Sequence, residues 1–362
     1  MITVQQVSLR NSQHFQSLLK DFWNDYQSDT FFMSRAWLEA WLQSLPSPPL
    51  LITFCKNNEL VGFVLLQSRP VHRELPFFKT QCCNQAGVQK YDQVWIEFNR
   101  VYCQPEYHEA CVDALLSRFP DMPSTVQLYI SMADDKHVWL KAATSRAQPT
   151  LVEEVTGYKR SLRATTTVDS IIQSLSKNSR SQIRRSLKKA ESVWGPITVV
   201  SSAESEKAKD FMALGKLHKT RWQHTAEGSG FSNDAFLNHH HFIIKHFPHL
   251  VDVVTVKAGK HLLGMCYNFL WEKRVEFYCC GINDTVPDKH IKPGYLVHLY
   301  CMAYYAERGY TEYDFLGGDA QYKKTLADTL YHFYNITVWA NSFAAKMVRR
   351  IARLKSLVGR AT

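Results

Sequence analysis

The chain has 362 residues, of which 45% are hydrophobic and 13% are aromatic. This composition excludes a disordered chain, and the length predicts two folded domains. Nine cysteines without a Cys-x-x-Cys motif, and no basic segment leading into an apolar one after Met1, predict reduced thiols and a cytoplasmic protein. No apolar run approaches the ~18 residues that span a bilayer.

The net charge of +10 comes from two short segments. Residues 177–189 carry six basic and no acidic side chains, and residues 341–362 carry another six without an acid. We therefore look for two basic elements with a function rather than for a generally basic surface.

Apolar spacing and turn residues predict mixed helices and strands in the first half. In chain order these are a helix at 11–23, a helix at 35–45 with Ser34 as N-cap, strands at 50–54, 60–66 and 94–98, a helix at 107–119 and a strand at 125–130.

The second half repeats this order approximately, without a residue-level repeat. Its predicted elements are a basic helix from about residue 179, helices at 203–219 (N-cap Ser202) and 236–247, strands at 251–256, 261–270 and 275–280, a helix from Pro293 to Gly309, and strands at 313–316 and 331–339. We predict domains at 1–160 and 161–340, followed by a basic amphipathic helix at 341–362.

The segment from Lys292 onward contains most of the features that suggest a binding or catalytic site. Pro293-Gly294 opens a helix whose first backbone N–H groups and macrodipole favour an anion. An acid, Asp314, lies on the next predicted strand, and Gly317-Gly318 allow a tight turn. A helix N-terminus, a strand acid and a following lysine suit an anionic cofactor and a nucleophile.

These motifs, in this order, resemble the GNAT acyltransferase superfamily, most closely its CelD/BioF-like branch, which is related to the FemAB aminoacyl transferases. The matching pieces are residues 32–41, 177–189, 293–296, 309–315, 317–319 and 322–323. The resemblance implies an α/β (α+β) fold of two tandem GNAT-like domains, each a mixed, mostly antiparallel sheet flanked by helices.

The resemblance also implies an activity. The donor would be acyl-CoA or an acyl-carrier protein, without a metal. The acceptor would be an amine of a sugar, an amino acid or a lipid precursor, in cell-surface polysaccharide biosynthesis. Two alternatives remain: a FemAB-type transferase that uses aminoacyl-tRNA, and a non-catalytic GNAT-like assembly module.

Acyl transfer to an amine requires a base and oxyanion donors. The candidate catalytic residues are Glu276, Asp314, Asp319 and Lys323. Glu276 is expected to share one strand face with Tyr278 and Cys280. For each acid, an ordinary surface ion pair is an equal alternative, and for Lys323 the alternative is a plain surface lysine.

The candidate donor-binding residues are Arg180, Arg184, Pro293, Gly294, Tyr295 and Tyr322. The two arginines lie on one stripe of the basic helix and suit phosphate contacts, with a solvated surface as the alternative. The segment His239-His240-His241 does not predict a metal site, because consecutive helical side chains point in different directions. Cys280 with His290 is a weaker candidate for nucleophilic catalysis than for buried thiol packing.

The basic C-terminal helix would place Met347, Ile351, Leu354 and Val358 on one apolar face. Such a helix suits an anionic membrane surface, which would make the protein peripheral at the inner membrane. The alternative is that the helix packs on its own domain.

Overall fold

A computed structural model describes residues 2–9, 12–222, 225 and 228–358. The chain divides into two units: unit 1 is Met1–Val155 with Phe333–Thr362, and unit 2 is Thr156–His332. The predicted domains, 1–160, 161–340 and 341–362, differ from this division in one main respect: the last strand returns to unit 1.

Both units mix helices and strands along the chain. The first part contains β1 (Thr3–Ser8), α1 (Ser12–Leu18), α2 (Phe22–Asp25), α3 (Arg35–Ser44), β2 (Leu50–Lys56), β3 (Glu59–His72), β4 (Leu75–Cys83), α4 (Gln89–Asp92), β5 (Tyr102–Cys103), α5 (His108–Arg118), β6 (Thr125–Ala133), α6 (Lys136–Ser145) and β7 (Thr150–Ser161). The second part contains α7 (Val168–Ser174), α8 (Lys177–Trp194), β8 (Ile197–Ser201), α9 (Lys207–Trp222), α10 (Asp234–His246), β9 (Val251–Ala258), β10 (His261–Trp271), β11 (Arg274–Ile282), α11 (Pro293–Glu307), β12 (Glu312–Gly317), α12 (Gln321–Leu326), β13 (Thr329–Trp339) and α13 (Phe343–Val358).

Each unit contains a mostly antiparallel sheet. In unit 1 the strand order is β1-β2-β3-β4-β6-β13, with β5 beside β3, and in unit 2 it is β7-β12-β11-β10-β9-β8. Among the described residues, each sheet contains a parallel pair joined through a helix: β4 with β6 across α5, and β11 with β12 across α11. The predicted fold class of two mixed, mostly antiparallel units flanked by helices is confirmed.

Each unit has its own apolar core, as expected for separate domains. In unit 1, Trp139 and Phe119 are fully buried among residues of β2, β3, β6 and β13. In unit 2, Tyr305 and Leu299 of α11 pack against β9, β10 and β11. The core of unit 2 therefore holds α11 against the sheet that contains the candidate acids.

One of the two predicted helix caps is observed, and one predicted strand is absent. Ser34 caps α3, because its side chain accepts a hydrogen bond from the Trp37 amide at 3.2 Å. Ser202 is not an N-cap: α9 begins at Lys207, and the Ser202 hydroxyl donates to Asp210 at 2.6 Å. Residues 94–98 are not a strand, although the run is apolar.

The C-terminal helix α13 packs partly within unit 1. Ala345 belongs to that core and Val348 is also fully buried, whereas Met347 is 40% exposed. This packing differs from the predicted apolar face, which begins at Met347; the side chains of Leu354 and Val358 and residues 359–362 lie outside the described residues. Within the described chain, no helix is both long enough and apolar enough to cross a bilayer.

Candidate functional site

The two parallel strands of unit 2 separate at a specific point. Strands β11 and β12 pair through only three positions in the described chain, the last being Glu276 opposite Asp314. Beyond it, β11 continues along β10 to Ile282, and β12 continues along β7 to Gly317. The strands therefore diverge at their carboxyl ends, and the last pair before the opening consists of two acids, Glu276 and Asp314.

The two acids share one face of the sheet, because directly paired residues of neighbouring strands point the same way. Glu276 is 0% exposed and Asp314 is 1% exposed. One carboxylate oxygen of Asp314 accepts hydrogen bonds from the Tyr331 hydroxyl at 2.7 Å and from the Leu316 amide at 2.8 Å. The arrangement brings two of the four predicted catalytic residues together.

Burial makes Asp314 a weaker acid than usual. It raises the pKa of the Asp314 carboxyl to about 6, against the opposing effects of the Tyr331 and Leu316 hydrogen bonds and of the Arg274 charge. A carboxylate with such a pKa can take up a proton near neutral pH, as a general base must.

Glu276 lies at one end of a chain of charges. Its Oε1 is 3.5 Å from Nη1 of Arg274, and the same guanidinium is 3.1 Å from Glu312. Glu312 in turn contacts Lys159 at 2.8 Å. These alternating charges hold Glu276 in place within an apolar interior, where an isolated carboxylate would be costly.

A bulge in β11 changes the predicted side-chain alternation. The register with β10 shifts between Tyr267 and Asn268, so that Cys279 faces Tyr267 and Phe277 faces Asn268. Tyr278 is the extra residue. The prediction that Cys280 shares the face of Glu276 is therefore wrong, because a bulge inverts the two-residue period beyond it.

Tyr278 makes a contact that the sequence did not reveal. Its hydroxyl is 3.1 Å from Nε2 of His240 on α10, and the two rings pack at 4.8 Å between centroids. Burial holds the pKa of His240 well below its usual value, so the imidazole is neutral. Among the described residues, no group of three His, Cys, Asp or Glu side chains is placed to hold a metal ion.

The first turn of α11 is open to a ligand. Pro293 has no amide hydrogen, and within the described chain the Gly294 amide has no hydrogen-bond acceptor. A Cβ at Gly294 would meet only Ile282, at 4.0 Å. The Tyr295 hydroxyl lies 3.4 Å from that of Thr325. The predicted anion site thus has a free donor and space in front of it.

Lys323 and Asp319, which both follow β12, lie in different environments. Lys323 is 8% exposed, and its ammonium group donates to the carbonyl oxygens of Gly317 at 2.5 Å and Leu316 at 3.4 Å. It is therefore not a surface lysine. Asp319 is exposed, and an ion pair with Lys324 at 2.6 Å holds its pKa below the usual value. Asp319 fits the surface ion-pair alternative.

Tyr322 and the basic helix have mainly structural contacts. Tyr322 stacks on His298 with 4.6 Å between ring centroids. On α8, the Arg180 guanidinium donates to the Leu175 carbonyl at 3.0 Å, whereas Arg184 is exposed. The structure thus places Arg184, and not Arg180, on the solvent-facing stripe of α8.

Comparisons with known proteins give one family match and several structures with a similar fold. Residues 177–324, all within unit 2, match the family described as acetyltransferase (GNAT) domain. A search of curated protein sequences finds no match. The fold is similar to that of FemX, with a TM-score of 0.57 and 12% identity over 92% of this chain and 96% of that one.

Two further solved structures share the fold. A conserved protein of unknown function from Bacteroides thetaiotaomicron VPI-5482 has a TM-score of 0.51 and 9% identity, over 94% of this chain and 100% of that one. L-PGS from Bacillus licheniformis has a TM-score of 0.50 and 9% identity, over 92% and 94%. At these identities the likeness shows the fold alone.

Proposed function

We propose that this chain, which contains a GNAT domain at residues 177–324 and has a fold related to that of FemX, is an N-acyltransferase. It would transfer an acyl group from acyl-CoA or an acyl-carrier protein to an amine of a sugar, an amino acid or a lipid precursor, in cell-surface polysaccharide biosynthesis. The observation that carries the proposal is the opening between β11 and β12, which begins at two buried acids.

The proposed reaction uses the residues around this opening. The donor phosphates lie at the free Gly294 amide, and the thioester lies between the diverging strands. Asp314 takes a proton from the acceptor ammonium, either directly or through water. The amine nitrogen then attacks the thioester carbonyl, the C–S bond breaks, and the thiolate leaves with a proton. Glu276 holds Arg274 in place and adds negative charge near the ammonium.

The test combines donor binding with turnover. CoA and acetyl-CoA should raise the melting temperature, because each binds the native state. Amine acceptors are then screened by the release of free thiol. Asp314→Asn should lower turnover by about 10²-fold while keeping the donor-induced melting shift. Retention of the wild-type rate in this variant would contradict the assignment of Asp314.

The exposed cations of α8 favour a second candidate. Arg184, Arg185 and Lys188 lie on the surface of an 18-residue helix. In a FemAB-type enzyme they would contact phosphates of aminoacyl-tRNA. Binding of tRNA should then weaken steeply with added salt, and replacing the three cations by Gln should flatten that dependence. If tRNA binding were independent of salt or undetectable, the thioester-dependent activity would be the better supported of the two functions.

A further inference from the structure

A cavity in unit 2 has neither Glu276 nor Asp314 in its wall. It occupies about 760 Å³ between the end of β7, helix α7, the start of α8 and helix α12. Seven Ser and Thr residues contribute to its wall, together with the cations Arg160, Arg163 and Lys324 and the carboxylate Asp328. A cavity of this size suits a small molecule, and this lining suits one that is polar and anionic.

Arg160 is the buried cation of this wall. It is 8% exposed, and its guanidinium donates to the Leu326 carbonyl at 2.7 Å and to the Ser174 hydroxyl at 2.5 Å. Both acceptors are neutral, and within the described chain Arg160 has no ion-pair partner. Burial also lowers its pKa, against the effect of Asp328. Arg160 hydrogen-bonds only to neutral groups, and Asp328 acts on it only through its charge, so an anionic ligand would add the charged hydrogen bonds that this guanidinium lacks.

Arg163 supplies a second cation whose charge is not neutralised. It is exposed at the cavity wall, and among the described residues its guanidinium has no acceptor. Lys324 already pairs with Asp319 at 2.6 Å, and Asp328 accepts a hydrogen bond from the Ser161 amide at 3.0 Å. Two guanidinium groups with donors to spare match the oxygens of a phosphate group.

We infer that this cavity binds an organic phosphate, with its phosphate group between Arg160 and Arg163 and its hydroxyl-bearing body against the Ser and Thr side chains. The binding of a phosphate here does not depend on the proposed acyl transfer, whereas the assignment of the ligand as acceptor or donor rests on it. Thr325 of the cavity wall lies 3.4 Å from Tyr295 in the first turn of α11. The phosphate could therefore belong to a phosphorylated acceptor or to the nucleotide end of the donor, and both have the same chemistry.

Two matched ligand pairs separate these sources. Glucosamine 6-phosphate is compared with glucosamine, and CoA is compared with dephospho-CoA, by calorimetry and thermal shift on the full chain. In at least one pair, the member with the additional phosphate should bind about 10- to 100-fold more tightly. A response in the sugar pair identifies the acceptor, and a response in the CoA pair identifies the donor.

Variants locate the binding. Arg163→Gln should remove the difference in affinity between the two members of the responding pair. Because the Arg163 side chain is exposed, this substitution should leave the fold intact. Arg160→Gln should do the same, with its melting temperature measured to detect loss of its hydrogen bonds. Lys177→Gln is the matched control, because Lys177 is an exposed cation at the start of α8 outside the cavity wall.

The inference is overturned if neither pair shows a phosphate-dependent difference, or if that difference survives Arg163→Gln. Because these are binding measurements without turnover, they can succeed when the proposed acyl transfer fails, and the reverse also holds.

Discussion

At the scale of single residues, Asp314 sets a dependence of stability on pH. Its pKa rises from 3.8 in the unfolded chain to about 6 in the native state, because the carboxyl is buried. Between these values the native state keeps a proton that the unfolded state releases, so stability falls as pH rises through this window and is level above it. The cost at neutral pH is about 3 kcal/mol.

Asp314→Asn should remove this pH dependence, since the amide oxygen can still accept the Tyr331 and Leu316 hydrogen bonds. Relative to wild type, the variant should gain stability from pH 4 to pH 7, as measured by urea unfolding. Asp319→Asn is the control, because that exposed, ion-paired carboxylate is already ionised over this range. Parallel curves for wild type and Asp314→Asn would show that Asp314 has an ordinary pKa.

Two neighbouring lysines provide a second comparison at this scale. Lys323→Met should destabilise the protein by about 1–3 kcal/mol, because the carbonyls of Leu316 and Gly317 lose a charged donor. Lys324→Met removes an exposed, solvent-screened ion pair and should change the stability much less than Lys323→Met does. Both losses of stability are measured from the denaturant midpoints, provided that the unfolding curves have the same slope as that of the wild type. Equal losses would mean that burial of Lys323 has no energetic role.

At the scale of elements, the first turn of α11 predicts a selective block of donor binding. Gly294→Phe should fill the space in front of the helix and abolish the melting shift caused by CoA. Gly294→Ala should leave that shift intact, because its Cβ would meet only Ile282 at 4.0 Å. The unliganded melting temperatures of both variants should stay near wild type. An unchanged CoA response in Gly294→Phe would place the donor elsewhere.

Helix α13 can be divided into a packed part and a charged part. Truncation after Ser342 removes the buried residues Ala345 and Val348 and should lower the melting temperature by several degrees. Truncation after Ile351 keeps them and removes three cations, namely Arg353, Lys355 and Arg360. If the tail binds membranes, the second truncation should weaken binding to anionic vesicles by roughly 10²-fold, at about 1 kcal/mol per cation. Unchanged vesicle binding would leave α13 a packing helix.

Elements with local end signals or a regular apolar pattern could be predicted, and those without either could not. Pro293 and Gly309 mark the ends of α11, and Ser34 marks the start of α3. Strand β7 was missed because polar residues interrupt its apolar pattern and its neighbour β12 lies far along the chain. The largely apolar residues 94–98 suggested a strand, but here irregular backbone buries Val94, Ile96 and Phe98 and leaves Trp95 exposed.

The same limit applies to the candidate site. Motif order pointed to Asp314 and Gly294, because a strand acid and a helix start are visible locally. The hydrogen bond from Tyr331 and the burial of Lys323 arise only when the sheet forms. The bulge at Tyr278 has no signal in a pattern with a period of two residues.

At the scale of the whole molecule, the pairing of β13 with β6 makes the last part of the chain a component of unit 1. Ile336 is fully buried in that unit's core, and its backbone lies opposite Ile130 of β6. Ile336→Ala should cost about 2–5 kcal/mol and reduce hydrogen-exchange protection in β6 more than in β10. Leu330→Ala, at a 55% exposed position on the same strand, is the control. Equal loss of protection in β6 and β10 would show that the two units unfold together.

The return of β13 also sets an order of events during synthesis. A nascent chain leaves the ribosome from its N-terminus, and domains generally fold as they emerge. Unit 2 is complete once His332 has been made, whereas unit 1 still lacks Phe333 and all that follows. Until then, one edge of β6 has no β13 to pair with, and an open strand edge invites pairing with other chains. The unit whose synthesis begins first is thus the last to be completed, and its β6 edge stays open in the meantime.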